Sequence, residues 1–124
     1  MEITDLLVPE AVLPAMKAQG KKQLLQEMAE RAALLTGQPE RRIFETLIER
    51  ERLGSTGMGQ GIAIPHGRLP GLTKIVGMFA RLEMPIAYDA VDNQPVDLIF
   101  LLLAPEGAGA DHLKALARVS RLLR

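Results

Sequence analysis

Val96 to Ala104 reads VDLIFLLLA and stands between Pro95 and Pro105. Apolar side chains at both odd and even positions leave no solvent face for a strand, so a strand here must be covered on both sides. The run is far short of the roughly 20 residues that span a bilayer. It therefore predicts the centre of a sheet, with helices packed above and below. Ile75 to Leu82 (IVGMFARL) supplies a second strand, and Ile62-Ala63-Ile64 a short third one.

Helical spacing supplies the cover. Between Gly20 and Leu35, the residues Leu24, Leu25, Met28, Ala32 and Leu35 recur with a 3.6-residue period, and Thr36-Gly37-Gln38-Pro39 provides a stop. Glu40 to Leu53 repeats the pattern with Ile43/Leu47 and Phe44/Ile48, and Gly54 follows at the cap position. Asp111 is placed to cap a last helix whose stripe is Leu113, Leu116, Val119 and Leu123. The expected fold class is α/β, a three-layer α/β/α sandwich around a mixed β-sheet. With 124 residues, no internal repeat and no linker, residues 1–124 are expected to form a single domain.

Composition narrows the function classes. Fifteen Lys and Arg balance fifteen Asp and Glu, so no bulk positive field draws the chain to nucleic acid or anionic lipid. Cysteine is absent, which removes disulfides, thiolate metal sites and cysteine nucleophiles and fits a reducing compartment. The opening Met1-Glu2-Ile3-Thr4-Asp5 is acidic and leads into no apolar signal core. A cytoplasmic protein that is not membrane-embedded is expected.

Gly54-Ser55-Thr56-Gly57-Met58-Gly59-Gln60-Gly61 holds four glycines in eight positions and reads as a loop, serving either backbone geometry or contact with a ligand. It is not a dinucleotide fingerprint, because that needs strand, loop, helix, and the order here is helix, loop, strand. No Gly-Lys-Ser/Thr phosphate loop occurs. Only two histidines exist, His66 and His112, without a metal-ligand spacing, so no metal and no cofactor is expected. His66 lies between Pro65 and Gly67, a sharp turn at a strand end that presents its ring, and the residues alone leave its role open. Arg50, by itself, reads as one more solvated charge on a helix, and Ser55 and Thr56 as hydroxyls bonded within their turn.

Arg50-Glu51-Arg52-Leu53-Gly54-Ser55-Thr56-Gly57-Met58-Gly59-Gln60-Gly61-Ile62-Ala63-Ile64-Pro65-His66-Gly67 resembles the active-site block of the fructose, mannitol and nitrogen-regulatory enzyme IIA family of the bacterial sugar phosphotransferase system. Pro85 to Asp97, the apolar strand after it and His112-Leu113-Lys114-x-Leu116 extend the resemblance over nearly the whole chain. It implies a phosphoryl carrier in which His66 accepts the phosphoryl group from an HPr-like histidine phosphocarrier, Arg50 assists and His112 shares the pocket. Chemistry supports each role. A neutral imidazole is nucleophilic near pH 7, a guanidinium offsets charge on the transferring oxygens, and a helix N-terminus attracts an anion.

Tyr88 to Pro95 is more similar to the nitrogen-regulatory branch, which implies a downstream regulatory protein as partner. A sugar permease component, or a noncatalytic module whose partner contacts are switched by phosphorylation, stands as the alternative. Family domains continue past the helix that starts near Asp111, so the resemblance also implies that the C-terminal part of this one is missing. Self-association through the uncovered apolar stripe is then expected.

Overall fold

The computed structural model describes residues 8–123. The acidic opening Met1–Asp5 and the closing Arg124 lie outside the described residues. A 3-10 turn at Pro9–Ala11 leads into β1 (Val12–Met16), followed by α1 (Lys21–Thr36) and α2 (Glu40–Leu53). Then come β2 (Gly57–Gly59), β3 (Ile62–Ala63), β4 (His66–Leu69), β5 (Val76–Ile86), β6 (Val96–Pro105) and α3 (Ala110–Leu123).

The apolar run is the hub of the sheet. β6 pairs antiparallel with β5 and parallel with both β3 and β4, in a six-stranded mixed sheet of order β1-β5-β6-β3-β2. Its alternate residues serve opposite faces, as a two-residue period requires. Ile99, Leu101 and Leu103 pack with Leu24, Leu25, Met28, Ile43 and Leu47 of α1 and α2. Phe100 and Leu102 pack with Ile62 and Ile64 and with Ala115 and Val119 of α3. Three layers result, α1 and α2, then the sheet, then α3. Burying each of Leu101, Leu102 and Leu103 contributes about 1.5–3 kcal/mol.

Three local readings are corrected. The glycine stretch is not all loop: β2 and β3 form an antiparallel hairpin in which Gly57 pairs with Ala63 and Gly59 with Ile62. Gln60 and Gly61 turn it with φ of 59° and 79°, the double left-handed conformation that matches strand twist in a two-residue hairpin. Gly57 is required by proximity, since a Cβ there would lie 2.8 Å from the Cα of Ala90.

Pro65-His66-Gly67 is no turn either. Pro65 keeps its carbonyl in the ladder, accepting from Leu102 N–H at 3.0 Å, and His66 then opens β4 instead of ending β3. Asp111, finally, lies in the first turn of α3 and not before it. β1 is an element with no sequence expectation at all. It runs parallel to β5 at the sheet edge, where Pro14 is tolerated because one side of an edge strand donates to nothing.

Candidate functional site

His66 is half-buried at the start of β4, and its two ring nitrogens are distinguished by their contacts. Nδ1 lies 2.9 Å from the carbonyl of Ile64, which can only accept, so Nδ1 carries the proton. Nε2 therefore holds the lone pair, and the Nε–H of Arg50 donates to it at 3.2 Å. Arg50 sits in the last turn of α2 and also donates through an Nη1–H to the carbonyl of Gly54 at 2.9 Å. The helix end that needs a donor thereby fixes the guanidinium beside the imidazole.

His112, in the first turn of α3, is buried at 5% exposure. The two imidazoles meet edge to face, with centroids 5.6 Å apart and planes at 68°. A second guanidinium joins them: the Nε–H of Arg68 donates to Nδ1 of His112 at 3.2 Å. These groups line one cleft of about 540 Å³, together with Thr46 and Glu49. A second hollow of about 370 Å³, lined by Met58, Ile64 and Leu116, shares Arg50 and His66 with it.

Both histidines are held neutral. Burial pushes the His66 pKa below the usual imidazole value, and the Arg50 charge adds to this, against the Ile64 contact and the Glu51 carboxylate. His112 is lowered by burial, by His66 and by Arg68. Two guanidinium groups beside two neutral rings make a site for an anion, with a lone pair available at His66 Nε2. Among the described residues no group of three His, Cys, Asp or Glu is placed to hold a metal ion.

The sequence-predicted residues Arg50, His66 and His112 are thus brought together from a helix C-terminus, a strand start and a helix N-terminus. Ser55 and Thr56 line the second hollow with His66, and their hydrogen bonds go elsewhere. Ser55 Oγ donates to the carbonyl of Tyr88 and accepts from Gly57 N–H. Thr56 bonds Glu51, whose buried carboxylate accepts from Thr56 N–H, from Thr56 Oγ1–H and from Lys21 Nζ. The Tyr88 hydroxyl lies 3.2 Å from Thr56 Oγ1, and Lys21 Nζ lies 4.6 Å over the Tyr88 ring.

Arg68 was missed by sequence reasoning. The signal was available in the two-residue period of HGRL: His66 and Arg68 point to one side of β4, while Gly67 and Leu69 are buried on the other.

The profile of the family described as "Phosphoenolpyruvate-dependent sugar phosphotransferase system, EIIA 2" matches residues 5–124. The chain belongs to this family. Among EIIA 2 relatives, the "Nitrogen regulatory protein" of Bradyrhizobium diazoefficiens is 67% identical over 124 residues, all of this chain and 81% of that one. The protein of the same description in Escherichia coli is 44% identical over 99% of this chain and 76% of its own. The crystal structure of nitrogen regulatory protein IIA-Ntr from Neisseria meningitidis superposes with a TM-score of 0.89 at 40% identity. That match covers 94% of this chain and 80% of the other. The IIA mannitol protein of Escherichia coli shares the EIIA 2 fold at 19% identity and a TM-score of 0.70, covering 89% of this chain and 79% of its own. No helix among the described residues is long and apolar enough to cross a membrane.

Proposed function

We propose that this chain is a cytoplasmic phosphoryl carrier whose His66 Nε2 takes a phosphoryl group from an HPr-like histidine phosphocarrier, in nitrogen and metabolic regulation. The observation that carries this reading is the pair of contacts at His66, Nδ1–H on the Ile64 carbonyl and Arg50 Nε–H on Nε2. They leave one nucleophilic nitrogen, marked by the cation that would next bind the phosphoryl oxygens.

In the transfer, the Nε2 lone pair forms the new N–P bond as the N–P bond of the donor breaks, and that electron pair stays on the donor's nitrogen. Arg50 moves its hydrogen bond from Nε2 to a phosphoryl oxygen. His112 supplies a further N–H. Transfer is governed by positioning and by charge compensation, which the Arg50 guanidinium supplies at the phosphoryl oxygens. Relatives described as nitrogen regulatory proteins support the regulatory role. Leu53 and Leu113, 85% and 64% exposed at the rim of the cleft, offer an apolar footing for a carrier protein.

The test is incubation with phosphoenolpyruvate, enzyme I and the phosphocarrier, followed by mapping of acid-labile phosphate. Label confined to His66 is expected, and label elsewhere or none overturns the assignment. Offering the charged protein to membranes that contain fructose or mannitol permeases, with labelled sugar, separates the two branches. No sugar phosphorylation, together with phosphorylation-sensitive binding to a regulatory protein, is the expected outcome, and rapid His66-dependent sugar phosphorylation refutes the regulatory role. Arg50→Ala is expected to slow transfer by about 10²–10³ while leaving His66 as the acceptor. Stopped-flow or quenched-flow rates equal to those of the native chain would remove Arg50 from the mechanism.

A further inference from the structure

Two histidines in one cleft make opposite contacts. His66 has its proton held on Nδ1 by a backbone carbonyl, so Nε2 is an acceptor. His112 has its Nδ1 engaged by the Arg68 Nε–H, so its proton belongs on Nε2. That Nε2 is buried and has no hydrogen-bond partner among the described residues. A buried N–H left unpaired is costly, and a ligand acceptor arriving in the site would recover that cost.

We propose that Arg68 is a positioning residue that fixes His112 as a hydrogen-bond donor, and so sets the polarity of the cleft: lone pair at His66, N–H at His112. The inference rests on the phosphoryl-carrier reading above and deepens it by giving the second histidine its state. Without Arg68, a neutral His112 is free to carry its proton on Nδ1. Its Nε2 would then carry a lone pair in place of an N–H, and the cleft would lose a donor to the phosphoryl oxygens. With Arg68 in place the donor is kept. The guanidinium suits this task because it remains charged and can only donate, so it never stabilises the opposite tautomer.

α3 itself carries Asp111, Lys114 and Arg118, and two other elements bring charged or titratable groups to the cleft. β4 contributes His66 and Arg68, and α2 contributes Arg50 and Glu49 to the same cleft. Arg68 and His66 both disfavour the cationic form of His112, after burial itself. Removing Arg68 must therefore raise the His112 pKa. The sign of the kinetic effect follows. At a pH above that pKa the variant's His112 is neutral and free to choose the wrong tautomer; below it, both ring nitrogens are protonated and the Nε2 donor is restored.

Arg68 is exposed in β4, so its replacement leaves the core untouched. The experiment compares the full chain with Arg68→Met and Arg68→Lys. Long-range ¹H–¹⁵N correlation spectra of the free proteins are expected to show His66 as the Nδ1–H form in all three. His112 should be Nε2–H in the native chain and in Arg68→Lys, and a mixture in Arg68→Met, with its pKa shifted upward. Transfer from the phosphorylated carrier should be at least about tenfold slower for Arg68→Met at pH 8, with the ratio to native closing as the pH falls through the His112 pKa. Arg68→Lys should recover most of the rate.

An unchanged Nε2–H tautomer in Arg68→Met, or a rate ratio constant with pH, overturns the proposal while leaving His66 as the acceptor. If instead the native chain takes up no phosphoryl group, the carrier reading fails and the tautomer spectra still decide the role of Arg68.

Discussion

His66→Ala is expected to fold as the native chain does and to take up no acid-labile phosphate from a phosphorylated histidine carrier. The fold survives because the imidazole is only half-buried and belongs to none of the apolar clusters. The substitution frees Arg50 Nε, which remains tied through Nη1 to the Gly54 carbonyl and keeps access to solvent in the cleft. His112 does not substitute as acceptor. Its Nδ1 accepts from the Arg68 guanidinium, so its Nε2 carries the proton and offers no lone pair. The measurement is phosphate that survives alkaline treatment and is released by acid, with circular dichroism to check the fold. Label on His112 in the variant would sink the assignment of a single acceptor.

The largest loss of stability is expected from Glu51→Ala. The carboxylate is 5% exposed and joins the end of α2 to the turn before β2 and to the start of α1. Oε1 accepts from Thr56 N–H at 3.1 Å and from Lys21 Nζ at 2.9 Å, and Oε2 accepts from Thr56 Oγ1–H. Removing one partner of a buried pair costs more than the pair contributes, because the other charge stays behind without compensation. Lys21 keeps 21% of its side chain exposed and so relaxes toward water in part. Thr56 N–H has no such escape.

The expected loss is about 3–5 kcal/mol, read as a fall of about 10 °C or more in Tm. Lys21→Ala should cost less, since it leaves a carboxylate that still has both Thr56 donors. The His66 imidazole supplies an independent readout. The Glu51 carboxylate favours its cation, so Glu51→Ala should move the His66 pKa further below the usual value by NMR titration. A Tm within 2 °C or so of native would mean that the turn before β2 is held by its glycine geometry and not by this network.

The layers were legible because β6 is apolar at every position that a two-sided core needs, and because α1 and α2 show helical stripes. β1 was not, since VLPAM has a mixed burial pattern, and a proline argues against a strand unless the strand is known to be an edge. β2 was hidden for the opposite reason. Gly57 and Gly59 carry no side chains to display a period, and the hairpin is held by Ala90 pressing on Gly57, a contact between segments 33 residues apart. At the site, the motif marked Arg50, His66 and His112, but reading Pro65-His66-Gly67 as a turn concealed β4 and with it Arg68. A period needs a strand to act on. Glu51 escaped notice because a glutamate on a charged helix reads as solvated, and only the fold brings Lys21 and Thr56 to it.

The group that keeps the proton on His66 Nδ1 is a main-chain carbonyl, that of Ile64, across Pro65. Every amino acid offers the same oxygen at that point, so replacing Ile64 by another apolar residue leaves the reactive nitrogen unchanged as long as the strand path holds. The two rings of the cleft therefore differ in mutational robustness. At His66 the choice of nitrogen is stored in backbone shape, which drift in side chains hardly touches. At His112 it is stored in one exposed arginine, which a single codon change can erase. Divergence among copies of such a chain has an easy route through His112 and a hard one through His66, so the donor half of the site is where new chemical behaviour can arise first.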